Sequence, residues 1–101
     1  MDFAFQRIGG KYKARILWHL YENTVLRNSE IKRLIPGITP KMLSITLKEL
    51  EKDHLIIRKS YNEVPPRVEY RLTETGIKLS PILLDIKKWA EEFLITKTTN
   101  E

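Results

Sequence analysis

Lys41, Lys48 and Lys52 recur at intervals of seven and four residues, with Ser44 and Ile45 between them. If Pro40 to Asp53 is a helix of about 3.6 residues per turn, Lys41, Ile45, Lys48 and Lys52 share one side, with Ser44 at its flank, opposite Leu43, Leu47, Leu50 and His54. Ammonium groups spaced in this way can neutralise phosphates, while a hydroxyl and an apolar side chain beside them can meet base edges. On an isolated helix the same lysines would read as a solvated face. Catalytic chemistry has less support, because His19 and His54 fall on separate segments. No Gly-rich phosphate loop, paired-carboxylate site, nucleophile with a partner base or metal-ligand spacing can be picked out. No catalytic residue, cofactor or metal is expected.

The helix that carries the lysines has clear start signals. Thr39 suits the N-cap and Pro40 the first helical position, where its missing N–H costs nothing. Before it, Gly9-Gly10 separates a short helix expected at Phe3 to Ile8 from a clearer one at Lys11 to Tyr21, whose Ile16, Leu17 and Leu20 make a core-facing stripe. A β-prone Val25-Leu26 leads to Asn28 or Ser29 as the N-cap of a brief helix holding Ile31, Leu34 and Ile35. Pro36-Gly37 ends that helix, giving two short helices joined by a turn.

Immediately after the basic helix, Ile56 to Tyr61 and Val68 to Leu72 read as two strands around a loop containing Pro65, Pro66 and Arg67. Thr73 can then cap a following helix. A hairpin in this position is the wing of a winged helix-turn-helix. The two prolines stiffen the loop and hold Arg67 near its tip or base. From there Arg67 can reach DNA, or it can pair with Glu63 or Glu69 and serve only the hairpin.

From Glu74 to about Ile95, the residues Leu79, Ile82, Leu83, Ile86, Trp89, Ala90, Phe93 and Leu94 form an apolar stripe about 140° wide at about 100° per residue. One small reading head cannot cover so wide a stripe, so a two-fold homodimer is expected, anchored by Ile86, Trp89 and Phe93. Pro81 interrupts the run, and either Ser80 caps a second segment or the helix kinks there.

Composition limits the alternatives. The chain has 101 residues, net charge +5 and no cysteine, which excludes disulfides, thiolate zinc sites and thiol redox sensing. Residues 1–41 hold eight Lys or Arg against three acids, and the remainder holds ten of each, so the front of the chain carries the excess. That favours an anionic partner, nucleic acid first. No run approaches the roughly 20 apolar residues of a membrane span, and the N-terminus lacks signal-peptide order, so a cytoplasmic location is expected.

Three stretches together resemble the HxlR-type transcriptional regulators. They are Gly9-Gly10-Lys11-Tyr12, Ile38-Thr39-Pro40-Lys41-Met42-Leu43-Ser44 with Leu47-Lys48-Glu49-Leu50-Glu51, and Glu63-Val64-Pro65-Pro66-Arg67-Val68-Glu69-Tyr70 with Leu72-Thr73 and Gly76. The likeness runs from about Ile8 to Trp89. It implies a mainly α fold with a small β-hairpin wing (α+β), a winged helix-turn-helix with added N- and C-terminal dimerisation helices. Residues 1–101 would form one domain, with a DNA-binding core at 8–73 and a dimerisation helix at 74–96. The recognition helix 40–53 would enter the major groove of double-stranded DNA and the wing 61–67 would meet the backbone or minor groove. DNA contacts are then expected from Thr39, Lys41, Ser44, Ile45, Lys48, Lys52 and Arg67. The dimer interface is expected from Phe3, Leu79, Ile82, Leu83, Ile86, Trp89 and Phe93.

The chain also departs from such regulators. Many of them carry a sensing cysteine ahead of the Gly-Gly-Lys segment, and Tyr12 and Ile45 stand where tryptophan and polar residues are more usual. Ile45 either meets a thymine methyl or weakens base readout. A winged helix used only for protein interaction, and an RNA-binding module with Tyr61 as its stacking residue, stay open as alternatives. A groove between dimer helices could admit a small apolar effector, which nothing in the sequence requires. Operator, target genes and direction of regulation are not encoded in readable form.

Overall fold

The computed structural model describes residues 10–100, with side chains through residue 94. The helix expected at Phe3 to Ile8, and Phe3 with it, lies outside these described residues. In chain order the elements are α1 (Lys13–Asn23), β1 (Leu26–Arg27), α2 (Asn28–Leu34), α3 (Pro40–Lys52), β2 (Ile56–Tyr61), β3 (Arg67–Leu72) and α4 (Glu74–Asn100).

The first helix starts two residues later than expected and ends two later. Gly10 to Tyr12 form a bend, and at the far end the Asn23 side chain donates to the His19 carbonyl, extending the last turn. Tyr12 is buried beneath Lys11 and Arg15, whereas Tyr21 is exposed against Trp18. Neither Asn28 nor Ser29 caps α2. Arg27 occupies the N-cap, and its backbone N–H donates to Glu30 Oε1 at 2.9 Å, so the third helical residue does the capping instead. Leu34, the third apolar residue of this segment, is exposed, because Ile31 and Ile35 already fill the inward side.

In α3 the Thr39 hydroxyl accepts from the Met42 N–H at 3.1 Å, with Pro40 in the first turn, as the start signals imply. Leu43, Leu47 and Leu50 face inward and are buried. His54, placed by periodicity on the same face, is exposed. The helix stops at Lys52, and His54 takes a left-handed φ of 59° while its N–H donates to the Glu51 carbonyl and that of Leu55 to the Leu50 carbonyl. This is a Schellman termination, which turns His54 out and inserts Leu55 into the core.

The hairpin belongs to a three-stranded antiparallel sheet of order β1-β3-β2. The third strand, only two residues long, pairs Leu26 with Tyr70 and Arg27 with Glu69. Its core face carries Leu26, Ile56, Tyr70 and Leu72, which pack on the helices with Ile16, Leu17, Leu20, Ile38 and Leu55.

Helix α4 is one element of 27 residues, so Ser80 does not cap a second segment. At the position before Pro81, the buried Ser80 hydroxyl donates to the Gly76 carbonyl at 2.8 Å, adding a bond within the helix where proline withholds an N–H. The start of α4 is anchored by Thr73, whose hydroxyl accepts from the Gly76 N–H and donates to the His54 carbonyl. At Gly76 a Cβ would collide with the Leu55 carbonyl, so only glycine lets α4 approach the end of α3 this closely.

Candidate nucleic-acid interface

Helix α3 presents Thr39, Lys41, Ser44, Ile45, Lys48 and Lys52 to the outside, all exposed. Its buried leucines set that orientation, so the outward face is a consequence of core packing. Among the described residues, none of Lys41, Lys48 and Lys52 has a carboxylate within ion-pair distance. Glu49, next to Lys48 in the chain, pairs instead with Lys13 of α1 at 3.2 Å. Three uncompensated ammonium groups along one helix give a stripe of positive potential suited to a phosphate backbone. Thr39 is also engaged in capping, and Met42 joins the exposed surface beside Ile45.

Arg67 sits at the base of the wing loop, directly across from Tyr61. Its guanidinium lies 4.0 Å from the Tyr61 ring centroid, with Nη2 3.2 Å from Glu63 Oε1 and Nε 3.9 Å from Glu69 Oε2. Of the two roles open to Arg67, this is the geometry of the hairpin clamp. Strand pleating puts Arg27, Lys59, Arg67 and Arg71 on the outer face around Glu69, which pairs with Arg71 at 3.8 Å. Lys59 also lies over the Tyr61 ring at 5.0 Å. The sequence reading missed Arg27, Lys59 and Arg71. The alternation in Arg67-Val68-Glu69-Tyr70-Arg71 is the available signal, but the pairing of Arg27 with Glu69 depends on β3 lying beside the β-prone piece, which forms its strand one residue later, at Leu26–Arg27.

Of the seven residues expected at a dimer interface, the six that are described do not share one environment. Leu83 is buried in the chain's own core, beside Ala14 and Trp18 of α1, and Leu79 packs against that core. Ile82, Ile86, Trp89 and Phe93 are exposed, each by more than half, and Trp89 and Phe93 stack with centroids 5.6 Å apart. The exposed row is therefore narrower than the sequence stripe and follows the four-three-four spacing of a helix–helix seam.

Between α1 and α4 lies a groove of about 650 Å³, walled by Ala14, Trp18, Leu83, Leu84 and Ile86 and rimmed by Arg15, His19 and Lys87. His19 titrates below its ordinary value of 6.5, first because burial disfavours the charged ring. Glu22 opposes that shift, and Arg15 and Lys87 add to it.

A family model described as HxlR-like helix-turn-helix matches residues 7–98. The uncharacterized HTH-type transcriptional regulator YkvN of Bacillus subtilis (strain 168) is 54% identical over 82 residues, covering 81% of this chain and 69% of YkvN. The uncharacterized regulator YybR of the same strain is 43% identical over 91 residues, covering 90% and 72%. Among solved structures, the redox regulator HypR in its reduced form superposes with a TM-score of 0.89 at 40% identity, covering 97% of this chain and 96% of that one.

Proposed function

The chain belongs to the HxlR-like helix-turn-helix family of DNA-binding transcriptional regulators, and from that membership we propose that it acts as a homodimer on a two-fold operator. Residues 1–101 work as one domain, with the reading head at 8–73 and the assembly helix at 74–96. In each half-site α3 lies in the major groove. Lys41 and Lys48 take phosphates, Ser44 and Ile45 face base edges, and Lys52 contributes at the far end of the helix. The observation that carries this reading is the outward lysine stripe of α3, free of carboxylate partners among the described residues.

Ile82, Ile86, Trp89 and Phe93 meet their two-fold copies, since their row is apolar and exposed on a helix about 40 Å long. Two reading heads then address half-sites about one helical turn, roughly 34 Å, apart. Arg67 organises the wing rather than making its main DNA contact. The protein works in the cytoplasm, in keeping with the observation that no helix among the described residues is long and apolar enough to cross a membrane. An apolar effector would occupy the groove beside Trp18.

Fluorescence anisotropy with duplex and single-stranded probes over a salt series tests the reading. Duplex binding that weakens steeply and linearly with the logarithm of salt supports it. Weak affinity, indifferent to sequence, would favour a protein-interaction role for the same face.

A further inference from the structure

Ile45 is anomalous on the surface it occupies. It stands midway along the outward face of α3, one turn from Lys41 and from Lys48, and 47% of it is exposed. Met42, three residues earlier on the same side, is 39% exposed. The fold gains little from either residue, since Leu43, Leu47 and Leu50 already fill the inward face. A β-branched residue is also a poorer helix former than the alanine, glutamate or lysine that would suit a solvated position. An aliphatic group held between two phosphate-seeking lysines gains from a hydrocarbon to meet when that face docks. Among the base edges of the major groove, the hydrocarbon is the C5-methyl group of thymine.

We propose that Ile45, with Met42 beside it, is a specificity-determining contact that reads a thymine methyl in each half-site. The inference rests on α3 lying in the major groove. Lys41 and Lys48 hold the backbone to either side of Ile45, so its side chain is carried to the base edges between them. Thr46 does not compete for that role. Its hydroxyl donates to the Met42 carbonyl at 2.7 Å, which leaves Ser44 as the neighbouring polar reader.

The test uses the full chain and a duplex selected by it from a random pool. Each thymine of the selected site is replaced in turn by deoxyuridine, which removes only the methyl group, and affinity is measured by anisotropy. One thymine per half-site should then lose about four-fold in affinity, the factor expected for one buried methyl. Replacing both symmetric thymines should multiply the losses. Ile45→Ala should bind the thymine and deoxyuridine sites equally, and Ile45→Val, a milder change should alanine disturb the helix, should show an intermediate ratio. Affinity unchanged by every deoxyuridine replacement would overturn the proposal, as would equal losses in the parent and Ile45→Ala. In either case selection of a defined site would leave the DNA-reading function standing. Failure to select any duplex would remove both.

Discussion

Lys41 and Lys48 lie on a rigid helix and have no carboxylate to neutralise them among the described residues, so each charge is available to a phosphate. Lys41→Ala and Lys48→Ala should each weaken duplex binding and lower the salt slope by about two, one for each half-site of the dimer, with circular dichroism unchanged. Full affinity in both variants at moderate salt would mean that α3 docks by another face. Arg67 is a different kind of cation. Stacked on Tyr61 and paired with Glu63 and Glu69, it ties the two strands together where the loop leaves them. Arg67→Ala should therefore lower stability by about 1 kcal/mol, since one cation–π contact and part-exposed ion pairs are each worth about that or less. Arg67→Lys keeps the charge but cannot reproduce the planar stack, and it should lose nearly as much. If Arg67→Lys instead kept its stability while duplex affinity fell in proportion to the charge removed in Arg67→Ala, Arg67 would be a DNA contact.

At the scale of elements, the critical contact is where α4 begins against the end of α3. The Leu55 carbonyl accepts from the Thr73 N–H, and Gly76 packs beside the same carbonyl. Gly76→Ala would raise helix propensity by about 1 kcal/mol in isolation. Here the added methyl has only backbone to displace, so a net loss of about 2 kcal/mol is expected in denaturant unfolding. A gain in stability would show that α4 can shift without penalty. The packing of α1 on α4 carries a pH dependence through His19. Its folded-state value is depressed below 6.5, so the folded protein binds fewer protons than the unfolded chain. Stability from this site is fully present above pH 6.5 and is lost as pH falls through the depressed value. Thermal unfolding of His19→Gln should show a shallower loss on that acid side. An unchanged profile would assign the acid sensitivity to other groups.

At the scale of the whole molecule, the described residues span 57 × 28 × 22 Å, elongated by a helix whose outer row is apolar. An isolated protomer leaves Ile82, Ile86, Trp89 and Phe93 in water, which a two-fold partner would relieve. Phe93→Glu or Ile86→Glu should give folded monomers whose duplex affinity falls by at least about a hundred-fold, because linking two reading heads raises affinity by roughly 10²–10⁴. Sedimentation of the unmodified chain at micromolar concentration checks the premise directly. A stable monomer there would remove the dimer and the two-fold operator together.

Local signals were sufficient for much of this protein. Thr39-Pro40 marks the start of α3, its leucine spacing determines which side faces the core, and the hairpin strand Ile56–Tyr61 is bounded as its β-prone residues suggest. These features depend on neighbours within one or two turns, so sequence alone determined them. Other features needed the tertiary structure. His54 leaves its periodic face because a Schellman turn delivers Leu55 to the core, and a two-residue strand forms at Leu26 only because β3 is there to pair with it. Leu79 and Leu83 separate from Ile82 and Ile86 because the core covers one edge of the α4 stripe and leaves the other open. Periodicity records how much of a helix is apolar, whereas which part of that surface remains available to a partner is decided by the elements that reach it first.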